Sequence, residues 1–220
     1  MKVGFVNIFG LPNAGKSSLL NALMDEKMAI VSRKVQTTRH RIRGILTGKD
    51  YQIVFSDTPG IIETKYRLHE KMMAAVRNAL EDADIALLIV DVKENPAISD
   101  QVFSSLKLKV PAIVVINKID LEGEKGIKEV REFFEGKKYC KKVLTVSVLG
   151  GINKKQFLKP VLELLPDGEP FYPGDDISDL PVKFFVGEII REKIYKLFEE
   201  EIPYQTTVVI NEFKIGRAHV

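Results

Sequence analysis

The stretch that most constrains this chain is Gly10 to Ser17, GLPNAGKS, set between the apolar run Val3 to Phe9 and the segment SerLeuLeuAsnAlaLeu. It fits GxxxxGK[ST], the P-loop, which works only between a strand and the helix that the loop opens. In that turn successive backbone N–H groups and a helix N-terminus face an anion. Lys16 is placed to reach the outer phosphates and Ser17 to offer its hydroxyl to Mg²⁺. Gly10 and Gly15 are required where a Cβ would obstruct the turn or the phosphates. Leu11, Pro12, Asn13, Ala14 and Ser18 complete the cradle.

Once that strand and helix are fixed, alternating patterns fill out an α/β fold. Val3 to Phe9 reads as a buried parallel strand and Ser17 to Met24 as the first helix. Ser32 to Arg43 is polar, basic and without period, so it reads as a loop, and a loop this long in a compact domain is usually functional. Gly44 to Thr47 and Tyr51 to Ser56 read as a hairpin turning at GlyLysAsp. Helices are expected at Leu68 to Leu80, Ser99 to Lys107, Lys125 to Glu135 and Lys154 to Leu164. Strands are expected at Ile85 to Val90, Ala112 to Ile116 and Val143 to Val146. Such alternation means a mostly parallel sheet covered by helices on both faces.

Pro166 to Pro181 differs in kind, with four prolines, two glycines and several acids in a short span, and reads as an interdomain linker. Beyond it, Phe185 to Phe198 carries a helical apolar stripe of Ile189, Ile190, Ile194, Leu197 and Phe198. Thr206 to Phe213 reads as a β-branched strand. One helix and one strand cannot bury their own apolar faces, so this second unit is incomplete. Ile215 to Val220 is set aside as a non-native tail.

Two further motifs end strands on the side where open α/β sheets bind ligands. AspThrProGly, Asp57 to Gly60, puts a carboxylate there: Asp57 would hold Mg²⁺ through a water and the Gly60 N–H would meet the γ phosphate, with Thr58 and Pro59 between them. AsnLysIleAsp, Asn117 to Asp120, distinguishes the base. Guanine offers N1–H and an exocyclic amine, two donors that one carboxylate accepts together, so Asp120 reads GTP or GDP. Against adenine it would stay unpaired, a mismatch worth roughly 10⁴ in discrimination, which argues against an ATPase or kinase. Asn117 would tie the base to the P-loop, and Lys118 and Ile119 would lie against the base. In the first loop Thr38 is the choice for the hydroxyl that completes Mg²⁺, with Thr37 as fallback. Arg39, Arg41 and Arg43 stay open between catalysis, RNA contact and solvation. His40 and His69 lack partners at metal-ligand spacing.

The net charge of +3 does not announce a nucleic-acid binder, so any basic surface must be local. A single cysteine, Cys140, excludes an intramolecular disulfide and suits a reducing compartment. No apolar run approaches the ~20 residues needed to span a bilayer. A cytoplasmic monomer is expected.

GLPNAGKS, QTTRH, DTPG and NKID stand in the order and spacing of a translational-type GTPase. Over nearly its full length the chain resembles the Era family of bacterial ribosome-assembly GTPases. The resemblance rests on SRKVQTTRHRI (32–42), DTPGI (57–61), EIIREKI (188–194) and EIPY (201–204). It implies a P-loop G domain over 1–165, a linker over 166–181 and the N-terminal part of an α+β KH domain over 182–214. It further implies Mg-dependent hydrolysis of GTP with Lys16, Thr38 and Gly60 at the chemistry, and binding to 16S ribosomal RNA in 30S small-subunit biogenesis. Cytoplasmic and peripheral membrane association belong to the same implication. The alternative is another Era-like GTPase, acting in tRNA modification or large-subunit assembly. Asn13 resembles the asparagine with which related GTPases hold K⁺ beside the phosphates. Ile61, where Ras-type enzymes place a water-positioning glutamine, implies slow turnover, on the order of 10⁻⁴ s⁻¹. Two departures stand out. Ser147, Val148 and Leu149 replace the family's usual Ser-Ala loop, whose contact to guanine O6 is by backbone N–H. The GxxG loop that clamps RNA backbone in KH domains is absent.

Overall fold

The computed structural model describes residues 1–32, 34, 37–61 and 67–214. Arg33, Val35 and Gln36 of the first loop, and the Ile215–Val220 tail, lie outside the described residues. The order is β1 (Lys2–Gly10), α1 (Lys16–Met24), β2 (Ile42–Gly48), β3 (Tyr51–Asp57), α2 (Arg67–Glu81), β4 (Ile85–Asp91) and α3 (Pro96–Ser105). Then come β5 (Ala112–Asn117), a 3₁₀ turn (Ile119–Leu121), α4 (Glu124–Glu135), β6 (Cys140–Thr145), α5 (Lys154–Leu164), α6 (Val182–Leu197) and α7 (Ile202–Gln205).

The six strands form one sheet in the order β2-β3-β1-β4-β5-β6. β2 alone is antiparallel, because a short hairpin joins it to β3; the other pairings are parallel. β4 and β5 read as unbroken apolar runs because both of their faces are covered. One core packs Leu19, Leu20 and Leu23 of α1 and Phe157 and Val161 of α5 against Ile8, Phe55 and Leu87. On the other face Met72 and Val76 of α2, Phe103 of α3 and Phe134 of α4 cover Phe9, Leu88 and Val114. Each such side chain contributes about 1.5–3 kcal/mol by leaving water. Strand carboxyl ends, including Gly10, Asp57, Asp91 and Asn117, are thereby gathered along one rim of the sheet.

α3 begins three residues earlier than the periodicity suggests. Asn95 accepts a hydrogen bond from the Ala97 N–H and Pro96 stands at the first helical position, a cap and a preset φ that together start the helix.

Pro166–Pro181, expected as a linker, is a strap laid on the sheet. The Val3 N–H donates to the Pro166 carbonyl at 3.1 Å and the Ile45 N–H to Ile177 at 3.0 Å. Buried Gln52 fixes the middle of the strap, accepting from the N–H groups of Phe171 (2.7 Å) and Tyr172 (3.0 Å) and donating to the Tyr172 carbonyl (2.8 Å). Ser178 donates to the Arg43 carbonyl at 2.6 Å.

The expected strand Thr206–Phe213 is not one. From Tyr204 to Ile210 the residues alternate between half-buried and exposed, and Val208 and Ile210 run past Gly187 of α6. The segment has the period of a strand, but among the described residues no neighbour supplies a hydrogen-bonded ladder. α6 turns Gly187, Arg191, Glu192 and Tyr195 inward. Its expected stripe stays largely outward, with Ile189 at 49% exposure and Leu197 at 75%.

Candidate functional site

The P-loop wraps Lys16. Its ammonium donates to the carbonyls of Gly10 (3.1 Å) and Leu11 (2.7 Å) from a nearly solvent-free position. Burial pulls its pKa down to about 8, against the opposing pull of Asp57 and Glu94. Gly15 caps α1 with φ 103°, and a Cβ there would stand 2.2 Å from the Asn117 amide nitrogen, so no other residue fits. Asn13 has φ 62°, a left-handed conformation that asparagine tolerates.

Three oxygens from three elements converge beside this loop. Ser17 Oγ lies 2.6 Å from Asp57 Oδ2 and 2.9 Å from Thr38 Oγ1, and Thr38 Oγ1 lies 3.2 Å from the same Oδ2. Asp57 is fully buried, and its Oδ1 has no hydrogen-bond partner. Burial raises the Asp57 pKa, while the bond from Ser17, the charge of Lys16 and the bond from Thr38 oppose the rise. A buried carboxylate with one idle oxygen, flanked by two hydroxyls, is a hard donor set of the kind Mg²⁺ takes. Thr37 is excluded from the cluster, since its hydroxyl donates to the Lys34 carbonyl at 2.7 Å.

The AspThrProGly turn is pinned to the P-loop. Thr58 Oγ1 donates to the Ile8 carbonyl at 2.6 Å, and the Ile61 N–H donates to Gly10 at 3.1 Å. A Cβ on Gly60 would meet Pro12 at 3.0 Å, so the chain passes directly over the loop.

Asn117 fastens the third motif. Its Nδ2 donates to the Ala14 carbonyl at 3.0 Å and its Oδ1 accepts from the Val148 N–H at 3.2 Å. One buried amide thus joins the P-loop to the Ser147–Leu149 loop. Lys118 adopts φ 61° and pairs with Asp91 at 2.6 Å, a partner that its sequence neighbours do not reveal. Asp120 is exposed at the rim, where Ser147 Oγ donates to it. Ile119 holds the turn through its N–H to the Val146 carbonyl at 3.4 Å.

These groups surround a cavity of about 910 Å³. Its wall includes Pro12, Asn13, Gly15 to Ser18, Thr37, Thr38, Gly60, Asn117, Lys118, Asp120, Val148 and Leu149. Gly10, Leu11, Ala14, Asp57, Thr58, Pro59, Ile119 and Ser147 do not line it; Gly10, Leu11, Ala14, Asp57 and Ser147 bond to groups that do. Sequence reasoning missed Ile30, Met72, Tyr195 and Lys196 in the wall. The last two come from α6, and nothing local in the sequence marks them.

Arg39, Arg41 and Arg43 are neither solvated nor presented outward. Arg39 donates to the carbonyls of Pro203 (2.9 Å), Tyr204 (2.6 Å) and Thr206 (2.8 Å) and to the Tyr195 hydroxyl (3.1 Å). Arg41 forks onto Asp82 and reaches Asn7 and Ser56. Arg43 bridges Asp82 and Asp179. Most of their partners lie far along the chain, which is why the local basic run left their roles open between catalysis, RNA contact and solvation.

A family model described as a 50S ribosome-binding GTPase matches residues 5–118. The GTPase Era of Geotalea daltonii is 39% identical over 213 residues, covering 96% of this chain and 72% of the relative. That of Thermosipho melanesiensis is 41% identical over 220 residues, covering 97% and 73%. Among solved structures, a variant of Aquifex aeolicus Era bound to GDP.AlF4- superposes with a TM-score of 0.92 at 40% identity, covering 99% of this chain and 75% of that one. Era in complex with MgGDPNP and nucleotides 1506–1542 of 16S ribosomal RNA matches with the same TM-score and identity, covering 99% and 74%. With this agreement from the nucleotide motifs through the EIIREKI helix, the chain belongs to the Era family of GTPases.

Proposed function

We propose that the cavity holds GTP or GDP with Mg²⁺, and that the chain is the nucleotide-operated part of a switch acting with ribosomal RNA in 30S subunit biogenesis. The observation that carries the nucleotide reading is the convergence of Ser17, Thr38 and Asp57, with Asp57 Oδ1 idle, beside a buried lysine. In this reading Ser17 and Thr38 offer hydroxyls to the metal, Asp57 fixes its water shell, and Lys16 neutralises the outer phosphates. Mg²⁺, when bound, draws charge from the phosphate oxygens as the terminal P–O bond breaks. The Gly60 N–H would meet the terminal phosphate, Asp120 would accept the two guanine donors, and a backbone N–H of the Ser147–Leu149 loop would face guanine O6. Asn13 would hold K⁺ beside the phosphates, where the ion would add positive charge.

Residues 1–165 act as the G domain, 166–181 as the strap that fixes its exit, and 182–214 as the start of a KH domain. The 16S RNA in the complex of the solved relative supports an RNA partner for the family. No helix among the described residues is long and apolar enough to cross a membrane, and peripheral membrane attachment and a monomeric state complete the proposal. Titration with GDP, GTP and ATP, with and without Mg²⁺, tests the site: binding of guanine nucleotides alone, tightened by the metal for GTP, is expected, and equal ATP binding overturns it. A 16S-derived RNA titration at physiological salt tests the second half. Residues 182–214 carry no GxxG, so residues 1–220 are expected to bind weakly where a longer chain bearing that clamp binds tightly; weak binding by both overturns the RNA assignment.

A further inference from the structure

β6 ends the sheet, with β5 on one side and, among the described residues, no strand on the other. A groove of about 480 Å³ runs along that open side, lined by consecutive residues Lys142 to Ser147, by Arg131 of α4 and by Gln156 and Phe157 of α5. Consecutive lining residues mean that the strand's edge itself faces the groove. The Val146 N–H donates to the Ile116 carbonyl on β5 at 2.8 Å, and alternate residues of a parallel strand bond to the same neighbour. Leu144 and Lys142 therefore follow Val146, while Val143 and Thr145 direct their N–H and C=O outward. The register shift between Ala112 and Ile113, where Lys141 is the extra residue, ends the regular edge at Lys142.

Charge sets the occupant. From Lys137 to Lys159 there are seven lysines and no carboxylate side chain, on a chain of net charge +3. Lys137 pairs with Asp100 and Lys154 with Asp25. Lys138, Lys141, Lys142, Lys155 and Lys159 are exposed, and none has an ion-pair partner among the described residues. Edge lysines repel a second copy of the same edge, so homotypic pairing is disfavoured. Leu144 and Ile152, both half-buried, give the groove apolar surface over the buried Val143 and Phe157, which suits side chains better than a phosphodiester.

We propose that the open edge of β6 is a docking groove for an extended peptide with acidic side chains, which adds to the sheet as a further antiparallel or parallel strand. Backbone pairing at Val143 and Thr145 supplies the ladder, and the surrounding lysines select the charge.

The probe is a fluorescent seven-residue peptide of alternating glutamate and valine, titrated by anisotropy into the GDP-loaded chain. It is expected to bind, to weaken with salt, and to lose about tenfold in affinity in the Lys142→Glu, Lys155→Glu double variant. GDP affinity should be unchanged in that variant, because neither residue touches the nucleotide cavity. Peptide binding should slow amide exchange at Val143 and Thr145. Methylating alternate peptide nitrogens should abolish binding. Four results overturn the proposal: no peptide binding; equal binding of the methylated peptide, which leaves only nonspecific charge attraction; tighter, lysine-dependent binding of a single-stranded oligouridine, which makes the patch a nucleic-acid surface; or lysine-dependent self-association in sedimentation, which makes a second copy the occupant.

Discussion

Replacing Asn117 by alanine removes a side chain that joins the P-loop to the Ser147–Leu149 loop. The residue is 2% exposed, and both of its hydrogen bonds, to the Ala14 carbonyl at 3.0 Å and from the Val148 N–H at 3.2 Å, go to main chain. Truncation leaves one acceptor and one donor without partners. A group stranded out of water costs about 1–3 kcal/mol, and water entering the vacated space recovers part of it, so we expect a net loss of about 2–3 kcal/mol. For a domain of this size that is about 4–12 °C in Tm. Both bonds are made before nucleotide enters, so stability should carry most of the loss. Affinity should fall only through lost preorganisation, by about tenfold. Urea unfolding without nucleotide, with the slope m compared between variant and parent, measures the first quantity, and calorimetric titration with GDP measures the second. A stability change below about 0.5 kcal/mol, the usual range of a surface substitution, would refute the account of Asn117 as a structural tie.

Asp120→Asn should lose guanine preference and gain affinity for the xanthine nucleotide, because an amide presents a donor where guanine also donates; unchanged GDP binding in competition titration removes Asp120 from base reading. Hydrolysis, followed by phosphate release, should run faster in K⁺ than in Na⁺, and Asn13→Ala should erase the difference; equal parental rates in both salts would remove the ion. Asp100 has its carboxyl held below the ordinary carboxylate range: partial burial pushes it up, but hydrogen bonds from Lys137 (2.6 Å) and Tyr139 (2.8 Å) outweigh that. A depressed pKa gives stability that is present above the ordinary value of about 3.9 and lost as pH falls through the folded value. The Tm deficit of Asp100→Asn should therefore be seen at neutral pH and close below about pH 4, and a deficit independent of pH refutes the pairing.

The three nucleotide motifs were legible because each is a short run at a strand's carboxyl end, where neighbours in sequence are also neighbours at the site. Within residues 1–165 most strand and helix positions followed from period, while the early starts of α3 and β6 did not. What escaped the sequence depends on distant partners. The basic run leaves the roles of Arg41 and Arg43 open, and they are neutralised by Asp82 and Asp179. Gln52 resembles any polar strand residue, although it fixes the strap through three bonds to residues about 120 positions away. Thr206–Phe213 has the composition of a strand, but composition cannot supply the partner that makes one. α6 was legible as an amphipathic helix, while the choice of its polar face for docking rests on Arg191 and Glu192. Arg191 donates to the Thr37 carbonyl at 2.6 Å, and Glu192 pairs with Lys27.

That docking places Thr38 between two fastenings to the C-terminal segment. Thr37 before it is held by Arg191, and Arg39 after it is held by four acceptors on α6, α7 and Thr206. Thr38 itself turns the other way, onto Ser17 and Asp57. Three consecutive residues thus join the oxygens of Ser17 and Asp57 to the C-terminal segment, and whatever moves Thr38 must strain or release α6. Hydrogen bonds from a charged donor contribute about 1.5–3 kcal/mol each, though four sharing one guanidinium do not add. We take about 2–4 kcal/mol for the set at this half-exposed position. Arg39→Ala should then raise the opening equilibrium of residues 182–206 by about 30-fold or more. Hydrogen exchange should accelerate there while β4 and β5 keep their protection. Arg39→Lys, which keeps the charge but cannot span four acceptors from one planar group, should fall between. Exchange in α6 and α7 that matches the parent would mean that Arg191 and Lys27 hold the segment without Arg39, and that Thr38 is free to move without disturbing it.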